Sequence, residues 1–384
     1  MNSDIPSEPD DDDFTFDPNP IPEINTFDDW LNFIYEPASV RPEVPSLEAF
    51  KGMTKKQQKA SCVTRMTHIA RFQPIITPSR FNILEILLQR VTVNRIGGRG
   101  ARGSAVLTGY PYIGKTTLAK DIGKRVDLDI RKALKSRSGQ DQFVPETEAR
   151  FIPVMYVSLS SEDTSNIKAL YSTFARFLGI PKYDKMTTKR LEDAIAAKVK
   201  ECRTSFIIIN EIHYIDVRTR GVMKTNTAIK TLMNRIPATF LFAGTDCENT
   251  GIFFDHNPDQ KKKLNPKFAQ LNHRCLKLEL LPFQNRFNNY DEGLKFIKAM
   301  DEEIVLLNHQ KGALIKLAPY ILKRTNGYVG SIRDLINIGS YKAIKKEKEQ
   351  LTEEWLDIVQ LDNAAETQKG DDDNNDPPSN SKDP

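Results

Sequence analysis

One short segment spaces glycine, lysine and hydroxyl residues as a phosphate-binding loop does. In "GYPYIGKTT", four residues separate Gly109 from Gly114, and Lys115 and Thr116 follow directly. Glycines permit the turns that aim backbone N–H groups at a phosphate, the lysine reaches the β- and γ-phosphates, and the threonine hydroxyl is a ligand for Mg²⁺. We therefore predict an ATP site formed by Gly109, Tyr110, Pro111, Tyr112, Ile113, Gly114, Lys115, Thr116 and Thr117.

A second segment, "SFIIINEIHYID", is an apolar run that ends in polar residues, as a buried strand beside a phosphate site does. Glu211 is placed to act as the base that orients an attacking water. Asn210 occupies the position of the more usual aspartate. Its amide oxygen can accept a hydrogen bond from a Mg²⁺-bound water, but it adds no negative charge. We therefore expect nucleotide binding to survive and hydrolysis to be slow.

Three further residues are candidates for contact with the γ-phosphate. Thr245 ends the strand "ATFLFAGTD", where a hydroxyl can sense the γ-phosphate or its water. Arg274 precedes another apolar run, where an arginine can reach the ATP of a neighbouring subunit. Arg333 begins a helix in "GYVGSIRDLI" and can fold back over the phosphates.

The elements that must position these residues alternate between strand and helix. Short continuous apolar runs such as "FIIIN" and "TFLFAG" are typical of a parallel sheet covered on both faces. We predict strands at 104–108, 151–159, 205–210, 239–244 and 275–280, and helices at 115–126, 165–178, 188–200 and 222–235. Three more helical patterns follow, at 291–307, 311–325 and 330–348. The fold class is therefore α/β, a P-loop domain followed by a small α-helical lid.

The predicted organisation has five parts: an acidic segment without a fold of its own (1–45), a helical lead-in (46–103), the α/β ATP-binding domain (104–285), the helical lid (286–350) and a charged tail (351–384). Within the first part, Phe27, Trp30, Leu31, Phe33, Ile34 and Tyr35 form an unusual apolar cluster. This cluster is predicted to dock as a short helix, either on a partner or on the body of the same chain.

Charge is segregated along the chain. Residues 1–40 contain eleven acids and no lysine or arginine, and residues 361–384 have a net charge of −5. Because the whole chain is only +4, residues 41–360 carry +20. A central region with this much positive charge favours a polyanion partner such as nucleic acid. The alternative interpretation is a solvated surface whose charge is balanced by the two acidic ends of the chain.

Other classes of protein and site are disfavoured. No segment is apolar enough to span a membrane, and the acidic N-terminus lacks the features of a signal peptide, so we expect a cytoplasmic protein with no membrane partner. The four cysteines, Cys62, Cys202, Cys247 and Cys275, have no zinc-site spacing, and we predict free thiols.

The order of these motifs resembles that of AAA+ ATPases. Within them, the segments "EIHYIDVRTRG", "RIPATFLFAGTD" and "GYVGSIRDLI" are most similar to the TniB/TnsC-like transposition regulators. The resemblance runs from about residue 64 to about residue 343. It implies an AAA+ fold and an ATP- and Mg²⁺-dependent adaptor that assembles as a homo-oligomeric ring or filament on double-stranded DNA and contacts a transposase and target-selection proteins.

The same resemblance implies a role for each site residue. Lys115 and Thr116 would bind nucleotide and Mg²⁺, and Asn210 would complete the metal site. Glu211 would be the catalytic base, Thr245 sensor 1, Arg274 the finger acting in trans and Arg333 sensor 2. Asn210 departs from the more common Asp-Glu pair, which places the rate of turnover in question.

Candidate DNA contacts follow Glu211 in the chain. The segment "DVRTRGVMKTNTAIK" brings Arg218, Arg220 and Lys224 onto a loop and the start of a helix. Further basic groups are Arg95, Arg99 and Arg102, and Lys261 to Lys263. Each group is either a solvated face or a DNA site, and together with the +20 body they favour contacts to the phosphate backbone without base readout.

Two alternative functions remain open at this stage. A replication initiator or helicase loader uses similar phosphate chemistry but normally carries a separate DNA-reading domain, and no such pattern follows the predicted lid. An ATP-binding scaffold with little or no hydrolysis is supported by Asn210. Measuring ATP turnover with and without duplex DNA would separate the scaffold from the switch.

Overall fold

The structure, a computed structural model, describes residues 23–37, 40–71, 77–97, 102–138, 151–215, 222–247, 275–284, 288–362 and 365. For residues 137–138 and 222–227, only the backbone is described. The described residues contain twelve α-helices and five strands. The helices are α1 Phe27–Tyr35, α2 Leu47–Gly52, α3 Lys55–Ala70, α4 Pro78–Ile96, α5 Lys115–Ser138, α6 Ile167–Phe177, α7 Thr188–Glu201, α8 Val222–Arg235, α9 Tyr290–Glu303, α10 Ala313–Arg324, α11 Val329–Lys345 and α12 Glu353–Asp357. The strands are β1 Ser104–Gly109, β2 Val154–Ser158, β3 Phe206–Asn210, β4 Thr239–Ala243 and β5 Cys275–Leu280.

The strands form one parallel sheet in the order β2-β3-β4-β1-β5. β3 and β4 are buried along their whole length, which explains their unbroken apolar sequences. Because all five strands are parallel, their carboxyl ends meet at one edge of the sheet. The predicted phosphate loop, Glu211 and Thr245 all follow strands at this edge. The predicted α/β sheet is thus confirmed.

The described helices follow the predicted pattern with shifted ends. α5 extends to Ser138, well beyond the predicted end at 126, because its apolar residues continue to face the sheet through Val126 and Ile130. α9 ends at Glu303, and α11 ends at Lys345. Cys62 is partly exposed, Cys202, Cys247 and Cys275 are buried, and none of the four is joined in a disulfide.

The aromatic cluster in the acidic segment forms α1, which docks on the body of the same chain. Thr26 begins the helix with a capping box to Asp29. Trp30 is fully buried, stacks on Tyr156 of β2 at 5.8 Å, and donates its indole N–H to Asp127 of α5 at 3.0 Å. The expectation that residues 1–45 have no fold therefore does not hold for residues 27–35, because the apolar face of α1 is buried in the sheet's core.

The lead-in helices pack onto two different apolar cores. α4 contributes Ile83, Leu84 and Leu87 to the core around the sheet, whereas α3 contributes Met66 and Ile69 to the core of the lid. The residues predicted as one lead-in thus connect both bodies.

The junction of these helices with the lid is held by polar contacts. Arg65 of α3 forms a buried ion pair with Glu349 at 2.7 Å. Glu292 of α9 accepts hydrogen bonds from the backbone N–H and the hydroxyl of Ser79, at the start of α4. The lid is therefore fixed to both α3 and α4.

The lid extends past the predicted boundary at residue 350. Leu351, Leu356 and Val359 are buried in the lid core, and the Trp355 indole N–H donates to the Gly339 carbonyl at 3.2 Å. Residues 351–362 were expected to belong to a charged tail. Their spaced apolar side chains instead cover α11, because isolated hydrophobic residues between charges suffice to cover one helix face.

Candidate nucleotide-binding site

The phosphate loop lies between β1 and α5 and takes the backbone shape that its glycines permit. Gly109 has φ of 150°, and a Cβ there would lie 2.5 Å from the Leu280 carbonyl oxygen. Gly114 has φ of 85°. Both positions therefore exclude side chains for steric reasons. Tyr112, between them, also has positive φ, at 60°. Such conformations in residues other than glycine cluster at functional sites.

Lys115 begins α5, and its ammonium group points back into the loop. The side chain is 8% exposed, and Nζ donates to the carbonyl oxygens of Gly109 at 2.9 Å and Tyr110 at 2.6 Å. Burial lowers the pKa of Lys115, and the nearby Glu211 carboxylate opposes that shift. Two neutral carbonyls compensate a buried charge only in part, so this cation is available to a phosphate.

The next residue, Thr116, faces the carboxyl end of β3. Its Oγ1 lies 3.2 Å from Asn210 Oδ1 and 3.3 Å from Glu211 Oε1. The Asn210 amide nitrogen donates to Ser158 Oγ at 3.1 Å and to Glu211 Oε1 at 3.2 Å, which turns Oδ1 toward Thr116. A hydroxyl and an amide oxygen side by side fit Mg²⁺, which prefers oxygen ligands and retains several waters. Thr116 and Asn210 would hold it.

Glu211 follows β3 directly and has a left-handed backbone, with φ of 57°. Its Oε2 lies 3.3 Å from His213 Nδ1. Thr245 follows β4, and its hydroxyl lies 3.4 Å from the same nitrogen. The predicted base and the predicted γ-phosphate sensor are therefore brought together at the sheet edge through one histidine.

A cavity of about 380 Å³ joins this sheet edge to the lid. The lid contributes Phe296, Val329, Gly330 and Arg333 to its wall. The predicted residues that line it are Pro111, Tyr112, Gly114, Lys115, Thr116, Thr117, Glu211, Thr245 and Arg333. Its size and its mixture of apolar walls with convergent polar groups are typical of a nucleotide-sized pocket.

The lid is joined to the phosphate loop at the start of α11. The Gly330 N–H donates to the Tyr112 carbonyl at 2.8 Å, and a Cβ at Gly330 would lie 2.3 Å from Tyr112 Cδ1. Tyr110 contacts Tyr328 edge to face at 6.1 Å. The tyrosines of the loop thus contact the lid. The Ile113 side chain is fully buried in the core, so Ile113 contributes only its backbone to the loop surface.

Arg333 is a lid residue on the cavity wall with a polar atom that lacks a partner. Its Nε is buried and has no hydrogen-bond partner among the described residues. Burial lowers the pKa of the guanidinium, and Asp334 opposes the shift. A buried, incompletely satisfied arginine on the wall of the cavity is suited to an anionic group.

Arg80 is a site residue that sequence reasoning missed. It lies in the first turn of α4, is 6% exposed and lines the same cavity, and its Nη2 donates to the Ile113 carbonyl at 2.8 Å. Burial lowers its pKa to about 10, and the nearby Glu292 carboxylate opposes that shift. Arg80 therefore stays charged at neutral pH. The signal was weak, since "TPSR" shows only a helix start with one arginine.

Several predicted site residues lie outside the described residues. Arg274, Arg218 and Arg220 are among them, and so are Arg99 and Lys261 to Lys263. Lys224 lies on α8, but its side chain is not described. Their roles stay predictions.

Among the described residues there is neither a candidate membrane-spanning helix nor a cluster of metal-binding side chains. None of the helices there is long and apolar enough to cross a membrane. No group of three or more His, Cys, Asp or Glu side chains in the same ranges is placed to bind a metal ion.

Comparison with known proteins supports the fold. A family model described as "AAA domain" matches residues 98–252. No curated protein gives a significant match. The ORC1 protein of Aeropyrum pernix, in a complex with DNA, is 14% identical with a TM-score of 0.53, over 79% of this chain and 69% of that chain. The ORC2 protein of the same organism, in its ADPNP-ADP complexes, is 15% identical with a TM-score of 0.51, over 74% and 68%. At such identities the likeness is one of fold. The chain therefore carries an AAA domain and has the AAA+ P-loop fold, with a helical region after it.

Proposed function

We propose that this chain is an ATP-dependent AAA+ switch that assembles on duplex DNA and regulates transposition. ATP would join the subunits, DNA would be held by the assembly, and hydrolysis would release it. Four steps make up the proposal: nucleotide binding, hydrolysis, the grip on DNA, and the link to a transposase.

Nucleotide binding rests on one observation, the convergence of three cations on a single cavity. Lys115 comes from the phosphate loop, Arg80 from α4 and Arg333 from the lid. Glu211 is the one carboxylate among the described lining residues. Three desolvated cations on one cavity wall are expensive to keep together, and a triphosphate compensates them with charge-assisted hydrogen bonds.

Hydrolysis needs a base and a group that responds to the γ-phosphate. Glu211 would orient the attacking water, and Thr245 would contact the γ-phosphate or that water. Thr116 and Asn210 would hold Mg²⁺, which neutralises phosphate charge when bound. Because Asn210 contributes no negative charge, we expect metal retention to be weak and turnover to be slow. Arg274 of a neighbouring subunit would complete the site, which makes hydrolysis depend on assembly.

The grip on DNA is argued from charge. Residues 41–360 carry a net charge of +20, and Arg218, Arg220 and Lys224 follow the strand that ends at the base. Each contact to a phosphate is weak, but subunits joined by ATP would present these residues repeatedly along one duplex, and multivalent binding raises affinity steeply. The expected binding is therefore sensitive to salt and nearly indifferent to sequence.

The assignment to transposition rests on the resemblance to TniB/TnsC-like regulators in "EIHYIDVRTRG", "RIPATFLFAGTD" and "GYVGSIRDLI". A second candidate, a replication initiator, is favoured by the fold likeness to the Aeropyrum pernix ORC1 and ORC2 proteins. The two differ in partner. A regulator of transposition stimulates strand transfer by a transposase, whereas an initiator acts at a defined origin sequence.

The test is a DNA-binding titration with the full chain. A labelled duplex of arbitrary sequence is titrated with ADP, with ATP and with a slowly hydrolysed analogue, at several salt concentrations. We expect affinity with the analogue to exceed that with ADP by at least about tenfold and to fall steeply with salt. Replacing Arg218, Arg220 and Lys224 together by Ala should weaken DNA binding and leave the ATP affinity of the monomer intact.

Equal DNA affinity in ADP and in the analogue would contradict the switch and favour an ATP-binding scaffold. A preference for one duplex sequence over all others would favour the initiator. ATP turnover measured with and without duplex DNA, in the same samples, separates the scaffold from the switch directly.

A further inference from the structure

His213 lies between the predicted base and the predicted sensor, and neither the AAA+ motifs nor the proposed function uses it. The residue is part of a short 3₁₀ turn, Ile212–Tyr214, directly after β3. Its Nδ1 lies 3.3 Å from Glu211 Oε2, 3.4 Å from Thr245 Oγ1 and 3.5 Å from the Thr245 backbone nitrogen. One ring nitrogen therefore has contacts with both functional residues.

The position of this turn is determined by packing. Ile212 is fully buried, and Gly244, at the end of β4, allows the turn to approach closely. A Cβ at Gly244 would lie 2.8 Å from Ile212 Cγ2 and 3.2 Å from the His213 backbone nitrogen. Any larger residue there would push the turn away from Thr245. The contact of His213 with both neighbours is thus a property of the fold.

The three contacts compete for a single nitrogen. Burial and the nearby Lys115 ammonium lower the pKa of His213, and the Glu211 carboxylate opposes that shift. The ring is therefore neutral at neutral pH and has one N–H. If Nδ1 carries the hydrogen, it donates to Glu211 Oε2. If Nε2 carries it, Nδ1 accepts from the hydroxyl or the N–H of Thr245. The two arrangements exclude each other.

Glu211 Oε1 already accepts hydrogen bonds from Thr116 and Asn210. Whether Oε2 also accepts a hydrogen bond therefore decides if both oxygens of the carboxylate are fixed in position. We propose that His213 is a positioning residue that couples the γ-phosphate contact of Thr245 to the orientation of Glu211 through a change of tautomer. When the Thr245 hydroxyl turns to a γ-phosphate, Nδ1 loses its hydroxyl donor and keeps only the contact to the Thr245 backbone nitrogen at 3.5 Å. It then takes a proton and holds Glu211 for the attacking water.

The proton balance of this step is simple. One proton leaves Nε2 to water and another is gained at Nδ1, so the net charge of the ring does not change. About 30% of the side chain is exposed, which gives water access for the exchange. After loss of the γ-phosphate, Thr245 donates to Nδ1 again and Glu211 is released. The base is thus oriented only in the triphosphate state. This inference rests on the proposed roles of Glu211 and Thr245.

The direct test is nitrogen NMR of the full chain with ¹⁵N-labelled histidine. The chain has five histidines, and the signals of His213 are identified by their loss in His213→Asn. We expect the Nδ1 signal to be that of an acceptor with ADP and that of an N–H with a slowly hydrolysed ATP analogue. An identical tautomer in the two nucleotide states overturns the proposal.

Kinetics provide the second measurement. His213→Ala removes one hydrogen bond to the base, so we expect kcat to fall about tenfold and KM for ATP to change less than twofold. His213→Asn retains an N–H donor and should recover part of the loss. In Thr245→Val the hydroxyl donor is missing, so His213 should hold Glu211 in either nucleotide state, and the Nδ1 signal should be that of an N–H with ADP and with the analogue. His68→Asn, on α3 beside Glu303, is the matched control and should behave as the unmodified chain.

The outcomes separate this inference from the function on which it rests. If the analogue does not bind the unmodified chain at all, both are overturned. If it binds and ATP is hydrolysed, but His213→Ala and His213→Asn keep a normal kcat, only the coupling is overturned. An Nδ1 signal that still differs between ADP and the analogue in Thr245→Val would also refute it, since the threonine hydroxyl is the group proposed to set the tautomer.

Discussion

Docking of α1 leads to a sharp stability prediction at Trp30. The indole is fully buried, stacks on Tyr156 and donates its N–H to Asp127. If α1 is an integral part of the domain, truncation of this side chain must destabilise the fold. If the acidic segment is only a spacer, the same change costs nothing. Trp30→Ala and Trp30→Phe therefore measure how firmly the segment is held.

The expected magnitudes follow from the contacts. Trp30→Ala leaves a large cavity between α1, α5 and β2, for which losses of about 3–5 kcal/mol are usual. Trp30→Phe retains most of the ring contact but removes a hydrogen bond to a buried carboxylate, which costs about 1.5–3 kcal/mol. Arg131 still pairs with Asp127, so that carboxylate keeps one partner. We therefore expect the alanine variant to lose the more stability of the two.

The assay is equilibrium urea unfolding, followed by circular dichroism. The other tryptophan, Trp355, offers a matched control because it is only partly buried and its N–H donates to a backbone carbonyl rather than to a carboxylate. Trp355→Phe should cost about 1 kcal/mol. If Trp30→Ala unfolds at the same urea concentration as the unmodified chain, the docking of α1 is refuted.

Gly123 on α5 provides an independent check with a coupled pair. A Cβ there would lie 2.7 Å from Trp30 Cη2 and 2.7 Å from Ile208 Cδ1. Gly123→Ala alone should destabilise by about 1–3 kcal/mol through overpacking, although alanine is the better helix former by about 1 kcal/mol. In the Trp30→Ala background the part of this cost that comes from the indole should disappear, while the contact with Ile208 remains. Stabilisation by Gly123→Ala in the unmodified chain would contradict the packing.

Three further predictions concern the nucleotide cavity. Lys115→Ala removes a charge-assisted contact, so ATP affinity measured by calorimetry should fall about 10- to 100-fold, and an unchanged affinity would exclude the phosphate loop as the site. Glu211→Gln keeps the shape of the base but not its basicity. Turnover should therefore fall at least about 100-fold with ATP affinity intact, and normal turnover would mean that another residue positions the water. Arg80→Met should lower the affinity for both ATP and ADP by about tenfold. The control is Arg90→Met on the same helix, whose guanidinium donates to the Ser104 carbonyl and which should leave both affinities unchanged. Equal behaviour of the two variants would count against Arg80 as a ligand.

Strands and phosphate motifs were the most predictable part of the chain. The buried strands of a parallel sheet are continuous apolar runs, and β3 and β4 lie within a residue of their predicted ends. The phosphate loop depends on local geometry at Gly109 and Gly114, so its residue types are visible in the sequence. Helix ends were less predictable, because the length of α5 depends on how far the sheet supports it.

Long-range partners were not predictable. Arg80 enters the cavity because the first turn of α4 lies against the phosphate loop at Ile113. His213 contacts Thr245 because β3 and β4 are neighbours and Gly244, directly after β4, allows the close approach. Neither contact leaves a pattern in the local sequence. The lid's use of residues 351–362 was hidden for the same reason, since a few apolar residues among charges are also typical of an exposed tail.

The sequence by itself determined the kind of chemistry. The residue types that bind phosphate, orient water and stabilise a parallel sheet are dictated by short-range geometry and by burial, which repeat along the chain in readable patterns. Only the tertiary structure decided which cations share the cavity, that α1 belongs to the body of the same chain, and that one histidine nitrogen lies between the base and the sensor. Those features depend on contacts between residues far apart in the chain, and such contacts are set by the packing of whole elements.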